Sequence, residues 1–322
     1  MNTYHLTQQG IHVQPRSSLE LITRGDTESI ASQYDSFILN AELYGSPATA
    51  TDYKYKLRYF VRYCSAHNIL HTADVTSDFI KSYLFQLKGS VSPKSQNGYC
   101  KVLRRFFNWL MEEGRLKSSP MLYVKSPKVP ETIVRIFTPE HLQIILLLCH
   151  DNTRTSVRNR AMVLVLLDTG IRRKELAGMK LVDVDVKTGD IYVMGKGNRE
   201  RVVRICKATL KSLVDYCRVR RGDYPQLWLS EEGKPLTVGG ISMIFKVLKK
   251  RANFNDVRLS PHTFRHTNGT MEMFNGASER QVQMQLGHRT SAMTRHYTAA
   301  VTSAAYLEKH KDFSPVAKLG LK

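Results

Sequence analysis

The chain has 322 residues, enough for two domains that each bury a core, and its hydrophobic fraction of 42% excludes a chain disordered throughout. Lysine and arginine number 48 against 28 aspartates and glutamates, a net charge of +20 with a pI near 9.8, and this excess calls for a polyanionic partner, nucleic acid first. No run of about 18 apolar residues and no signal peptide is read, so a soluble, cytoplasmic, nucleoid-associated protein without a membrane partner is expected.

Residues 1–26 show no sustained period and are read as an N-terminal tail. Over 27–118 apolar residues recur at helical spacing, and four helices are expected. Gly45, Gly89 and Gly114 end three of them, Thr76 or Ser77 caps the third, and Ser92-Pro93 opens the fourth. The second helix, about 50 to 66, buries Leu57, Phe60, Val61 and Cys64 and carries Lys54, Arg58 and Arg62 as a cationic stripe. The fourth turns Val102, Leu103, Phe106 and Leu110 inward, while Lys101, Arg104 and Arg105 crowd one end. Both basic groups are read as a DNA-facing surface.

Residues 119–135 hold the prolines Pro120, Pro127 and Pro130 and are read as a stiff extended linker. A second domain is expected over 136–300, followed by a polar tail at 301–322. Thr138-Pro139-Glu140 starts a helix with Ile144 to Leu148 as its buried part, and Ala161 to Leu167 reads as a central helix. Strands are expected at 191–194 and 201–205 around the Gly195-to-Asn198 turn, with a third at 181–186, and the pattern then returns to helices from Ala208. The fold class is mainly α with a small antiparallel sheet. Cys64, Cys100, Cys149, Cys206 and Cys217 are odd in number and widely spaced, which fits reduced packing residues better than a disulfide framework or metal site.

The chemistry-bearing motifs lie in the second domain. They are TGIRRKEL at 169–176, GKGNRER at 195–201, PHTFRH at 261–266, and LGH at 286–288 followed by TRHY at 294–297. In this order and spacing they resemble the tyrosine recombinases, or phage-type integrases, over about residues 27 to 300. The resemblance implies an N-terminal helical core-binding domain, a C-terminal catalytic domain and a catalytic set of Arg172, Lys196, His262, Arg265, His288 and Tyr297. It also implies a site-specific recombinase that works as a homotetramer on a double-stranded DNA site, exchanges strands through a Holliday junction and takes no cofactor. With no further N-terminal domain read, a compact Cre- or Xer-like member of a mobile or chromosomal system is expected, with an accessory factor allowed. The 301–322 segment, with Tyr306, Leu307 and Phe313, is similar to the element that family members dock on a neighbouring subunit.

The residue types suit the reaction. A phosphodiester under attack gathers charge on its non-bridging oxygens, and two guanidiniums, Arg172 and Arg265, offer planar forks that stay charged. Lys196 is placed to protonate the leaving 5′ oxygen. Tyr297, whose phenol titrates near about 10, needs a base, read as His262, with His288 donating to the phosphate. His262 and Arg265, three apart after Ser260-Pro261, are expected on one helix face, and Glu175, three beyond Arg172, is expected to orient an arginine. His262 and His266 have zinc-ligand spacing, but no cysteine pair or HExxH accompanies them, and GxxxxGK[ST] is absent, so neither metal nor ATP is expected. Phe264, Asn268, Gly269, Arg204 and Gln285 depart from the usual family pattern. Two other readings remain open at this level: a type IB topoisomerase-like nicking and resealing enzyme, and a DNA-binding protein of the same fold without turnover.

Overall fold

The computed structural model describes residues 29–130, 134–195 and 199–287. The chain divides into two compact units between Glu131 and Thr132.

The first unit contains α1 (Ile30–Tyr44), α2 (Pro47–Ala66), α3 (Ser77–Gln86) and α4 (Pro93–Glu112). Each starts on a hydroxyl cap: Ser29, Ser46, Thr76 and Ser92 each accept a bond from the backbone N–H three residues on, and Pro47 and Pro93 occupy first-turn positions that need no N–H. The Ser46-Pro47 start places α2 a turn earlier than the hydrophobic pattern suggests, because its first turn packs only Ala50. Gly45 ends α1 by close approach, since a Cβ there would meet the Ala41 carbonyl oxygen at 2.5 Å. The core is aromatic. Phe37 of α1 meets Phe106 edge-on at 5.4 Å and Trp109 at 5.3 Å, while Phe60 of α2 meets Tyr83 at 5.2 Å. Leu57, Phe60 and Cys64 are buried as the pattern predicts, whereas Val61 is half-buried at the rim.

The proline-rich stretch does not run free from its start. Met121 and Val124 enter the first unit's core, Ser77 donates to the Pro120 carbonyl at 2.6 Å, and Asn97 donates to that of Pro127 at 2.8 Å. Two apolar residues among the prolines are the reason, since burying them outweighs an extended path.

The second unit holds α5 (Pro139–Leu147), α6 (Arg154–Thr169), α7 (Arg173–Gly178), β1 (Val184–Asp185), β2 (Asp190–Met194), β3 (Glu200–Arg204), α8 (Lys207–Val219), α9 (Val238–Ala252), α10 (Pro261–Phe274) and α11 (Glu279–Leu286). The strands form one antiparallel sheet in the order β1-β2-β3, with Ile191 opposite Val203 and Val193 opposite Arg201. Ile191, Val193 and Val203 face the core, and α6 buries Ala161, Met162, Val163, Val165 and Leu166 beside them. The third strand is only two residues, since a 3-10 turn takes Leu181–Asp183. In α5 only Ile145 is fully buried, while Ile144 and Leu147 are exposed, because a nine-residue helix on the surface covers the core with one face. Among the described residues no helix is long and apolar enough to cross a membrane.

Candidate active site

The site is assembled from helix ends. Gly170 stops α6 in the left-handed region (φ 59°), which a glycine adopts without a Cβ penalty. A Cβ there would also stand 2.6 Å from Asn268 Oδ1 and collide with Leu286. Ile171, fully buried, then anchors the turn, and Arg172 follows in extended conformation as the residue that starts α7. Its side chain stays 34% exposed.

Glu175, on the first turn of α7, fixes Arg172 twice. It accepts the Arg172 backbone N–H at 2.7 Å and Arg172 Nη1 at 2.8 Å. Arg201 of β3 grips the same carboxylate through Nη1 at 3.1 Å and Nη2 at 2.9 Å. Burial of Glu175 pushes its pKa up, but the bonds from Arg201 and Arg172 outweigh that and hold the carboxyl at about 2. The expected orienting role of Glu175 is thus matched by its contacts, and it extends to two arginines.

Arg265 projects from α10 into the interior, 5% exposed, and donates to the carbonyls of Gly170 and Leu286, each at 2.7 Å. Arg172 Nη2 donates to the Gly287 carbonyl at 3.1 Å, and Arg201 Nε to that of Gln285 at 3.2 Å. Three consecutive carbonyls at the C-terminal end of α11 therefore each accept from a different guanidinium. Those oxygens lack partners inside the helix and carry its negative dipole end, so cations are favoured there twice over. The arrangement draws Arg172 and Arg265 to adjacent residues and fixes the point from which the chain continues to His288.

His262, in the first turn of α10, is exposed, and its Nε2 lies 2.7 Å from His266 Nε2. One ring must donate and the other accept, so the two share a proton at this contact. The expectation that His262 and Arg265 share a face needs correction: one is exposed and the other buried. A three-residue step leaves side chains about 60° apart around a helix, which here spans the boundary between surface and core. The face-mate of His262 is His266. Among the described residues no group of three or more His, Cys, Asp or Glu side chains is placed to hold a metal ion.

Lys196, His288 and Tyr297 lie outside the described residues. Lys196 belongs to the turn between β2 and β3, and His288 follows Gly287 directly.

In the first unit, Lys54, Arg58 and Arg62 are exposed along α2 as read from their spacing, with the Arg58 guanidinium 5.6 Å from the ring centre of the exposed Tyr59. The α4 group differs in its engagements. Lys101 is exposed, Arg104 donates to the Val124 carbonyl at 2.8 Å, and Arg105 pairs with Glu112 at 2.9 Å.

Arg201 is the site residue that the motif reading passed over, although a signal existed. Alternation along β3 sets it on the same side as buried Val203, and a charge on a buried strand face requires a counter-charge. The family departures also find local explanations. Phe264 is fully buried, its ring 4.7 Å from Phe137 and 5.8 Å from Phe245. Asn268 donates to the carbonyls of Leu167 at 3.0 Å and Asp168 at 3.2 Å, satisfying the end of α6. Arg204 makes a two-pronged pair with Asp190 at the open end of the hairpin.

Comparison with known proteins agrees with this architecture. Residues 135–303 match the phage integrase family, and residues 32–114 match its N-terminal SAM-like domain. A tyrosine recombinase XerD of Listeria innocua is 31% identical over 281 residues, covering 84% of this chain and 94% of the relative. Among solved structures, the XerH site-specific recombinase bound to a palindromic difH substrate superposes with a TM-score of 0.71 at 19% identity, covering 87% of this chain and 84% of the other. A lambda integrase tetramer bound to a Holliday junction superposes with a TM-score of 0.69 at 19% identity, covering 84% and 77%. The chain therefore belongs to the phage integrase family and is an enzyme of the tyrosine site-specific recombinase class.

Proposed function

We propose that the protein cuts and rejoins duplex DNA at a specific site through a 3′-phosphotyrosyl link to Tyr297, with Arg172 and Arg265 neutralising the scissile phosphate. The observation that carries this reading is the attachment of both guanidiniums to adjacent carbonyls at the end of α11, at the point where the chain leads into His288 and, nine residues on, Tyr297. Fixed cations of this kind stabilise charge without reorganising during the reaction. His262 takes the phenolic proton, the phenolate attacks phosphorus, and the bond to the 5′ oxygen breaks as Lys196 supplies its proton. His288 donates to a non-bridging oxygen. The covalent link conserves the energy of the broken diester, so a 5′ hydroxyl from a partner strand reverses the step without a nucleotide.

Strand exchange in pairs calls for four protomers on two duplexes, and the likeness to a lambda integrase solved as a tetramer on a Holliday junction supports that assembly. The α2 stripe of Lys54, Arg58 and Arg62, with Lys101, Arg104 and Arg105 of α4, is assigned to the DNA backbone. The test uses a nicked duplex carrying the target site. Wild type should leave an SDS-resistant 3′ adduct, and Tyr297→Phe should bind the duplex but leave none. An adduct retained by Tyr297→Phe would remove the nucleophile from this scheme, and relaxation of supercoiled plasmid without site preference would turn it into a topoisomerase.

A further inference from the structure

Arg201 stands outside the catalytic set, yet it joins three elements of the site. From β3 it reaches both oxygens of Glu175 on α7 and the Gln285 carbonyl on α11. Only an arginine satisfies these three directions at once, because Nε, Nη1 and Nη2 lie in one rigid plane and a lysine offers a single ammonium. The pair is closely enclosed. A Cβ on Gly287 would stand 3.1 Å from Arg201 Cδ and Nε, and one on Gly195 would stand 3.5 Å from Nη1 and 3.8 Å from Glu175 Oε1.

We propose that Arg201 is a positioning residue for DNA cleavage: by locking the Glu175 carboxylate and the end of α11, it holds Arg172 in register with the scissile phosphate. This rests on the recombinase reading above. The division of labour follows from exposure and bonding. Arg201 is 15% exposed, whereas Arg172 keeps 34% of its side chain accessible. Glu175 receives two bonds from each arginine, so its orientation is set by Arg201 and passed on to the backbone and guanidinium of Arg172. Without Arg201, the buried carboxylate has Arg172 as its remaining guanidinium partner in this network and is free to draw it away from the phosphate.

The test compares two nicked substrates cut by the full-length protein: the natural diester and a methylphosphonate at the scissile position, which lacks the non-bridging negative charge. A misplaced guanidinium matters less when there is less charge to offset. Arg201→Gln should slow diester cleavage roughly ten- to a hundredfold. It should slow methylphosphonate cleavage by less than about threefold, the same pattern as Arg172→Ala, with DNA affinity unchanged. Arg201→Lys, which keeps the charge and loses the fork, should fall between wild type and Arg201→Gln. Should Arg201→Gln fail to fold by circular dichroism, the substrate ratio of Arg201→Lys decides. Equal slowing on both substrates, or wild-type rates on both, overturns the inference. If wild type itself forms no adduct, the recombinase reading is what fails; an adduct from wild type with an unaltered Arg201→Gln sinks the Arg201 role alone.

Discussion

The arginines of α2 and those around the end of α11 carry the same charge in opposite surroundings. Arg58 and Arg62 stand exposed on a regular helix, their cores made by other residues. Arg172, Arg201 and Arg265 have guanidiniums bonded to backbone carbonyls, and two of them share a buried carboxylate. A solvated cation pays little to fold and is screened by salt, so it suits attraction to a phosphate backbone. A cation held by several bonds does not need to reorganise when charge appears, so it suits a transition state. The two sets thus separate binding from chemistry within one basic protein.

The largest effect should come from Arg265. Replacing it with alanine takes donors from the carbonyls of Gly170 and Leu286 and removes half of the proposed phosphate clamp. We expect single-turnover cleavage to fall about 10²- to 10³-fold. Unfolding free energy should fall by on the order of 2–5 kcal/mol, read from urea denaturation, since buried acceptors lose their donors. The salt dependence of DNA binding should stay as in wild type. A variant that instead loses salt-dependent affinity would merge the two arginine classes.

Glu175 gives the next largest effect, on stability. Its folded pKa of about 2 lies below the ordinary glutamate value near about 4.3, so its contribution is complete above that value and is lost as pH falls toward about 2. The contribution at neutral pH is on the order of 3 kcal/mol. Glu175→Gln should therefore be less stable than wild type at pH 7, and the gap should narrow progressively as both are titrated from about pH 4.3 toward about 2. A gap constant with pH would mean that the carboxylate is not held by its arginines.

On α2 the expected effect is smaller and of another kind. Arg58→Gln with Arg62→Gln should leave stability and the cleavage step alone. The slope of log affinity against log salt should fall in magnitude by about 2, since each lost phosphate contact removes about 0.9. An unchanged slope would take these two side chains off the DNA.

The sequence made the helices and their caps legible because Ser46-Pro47, Ser92-Pro93 and Ser260-Pro261 announce themselves locally. It made Arg172, Glu175 and Arg265 legible as candidates because their motifs are short. What it concealed depends on contacts distant along the chain. That Arg265 bonds Gly170, 95 residues away, and Arg201 bonds Gln285, 84 away, is a property of packed helix ends that no periodicity records. The same holds for Met121 and Val124, whose burial overrides the extended path suggested by neighbouring prolines. The face shared by His262 and Arg265 failed for a different reason: helical spacing gives an angle between side chains but not where the core boundary falls.

The smallest effect provides the sharpest control, since Arg204 lies on the same strand as Arg201 and makes the same kind of two-pronged contact. Its Nε and Nη2 meet Asp190 at 2.7 and 3.0 Å, directly across the ladder, but its side chain is 71% exposed against 15% for Arg201. Water competes for both partners of an exposed pair and salt screens it, so the geometry that fixes a buried carboxylate should do little here. Arg204→Ala should leave the melting temperature within about two degrees of wild type. Its cleavage rate on the natural diester should be unaltered and so should its ratio to the methylphosphonate. If Arg204→Ala were as slow as Arg201→Gln, the bond pattern along β3 rather than burial of the Glu175 network would govern the site, and the contrast between solvated and built-in cations would lose its physical basis.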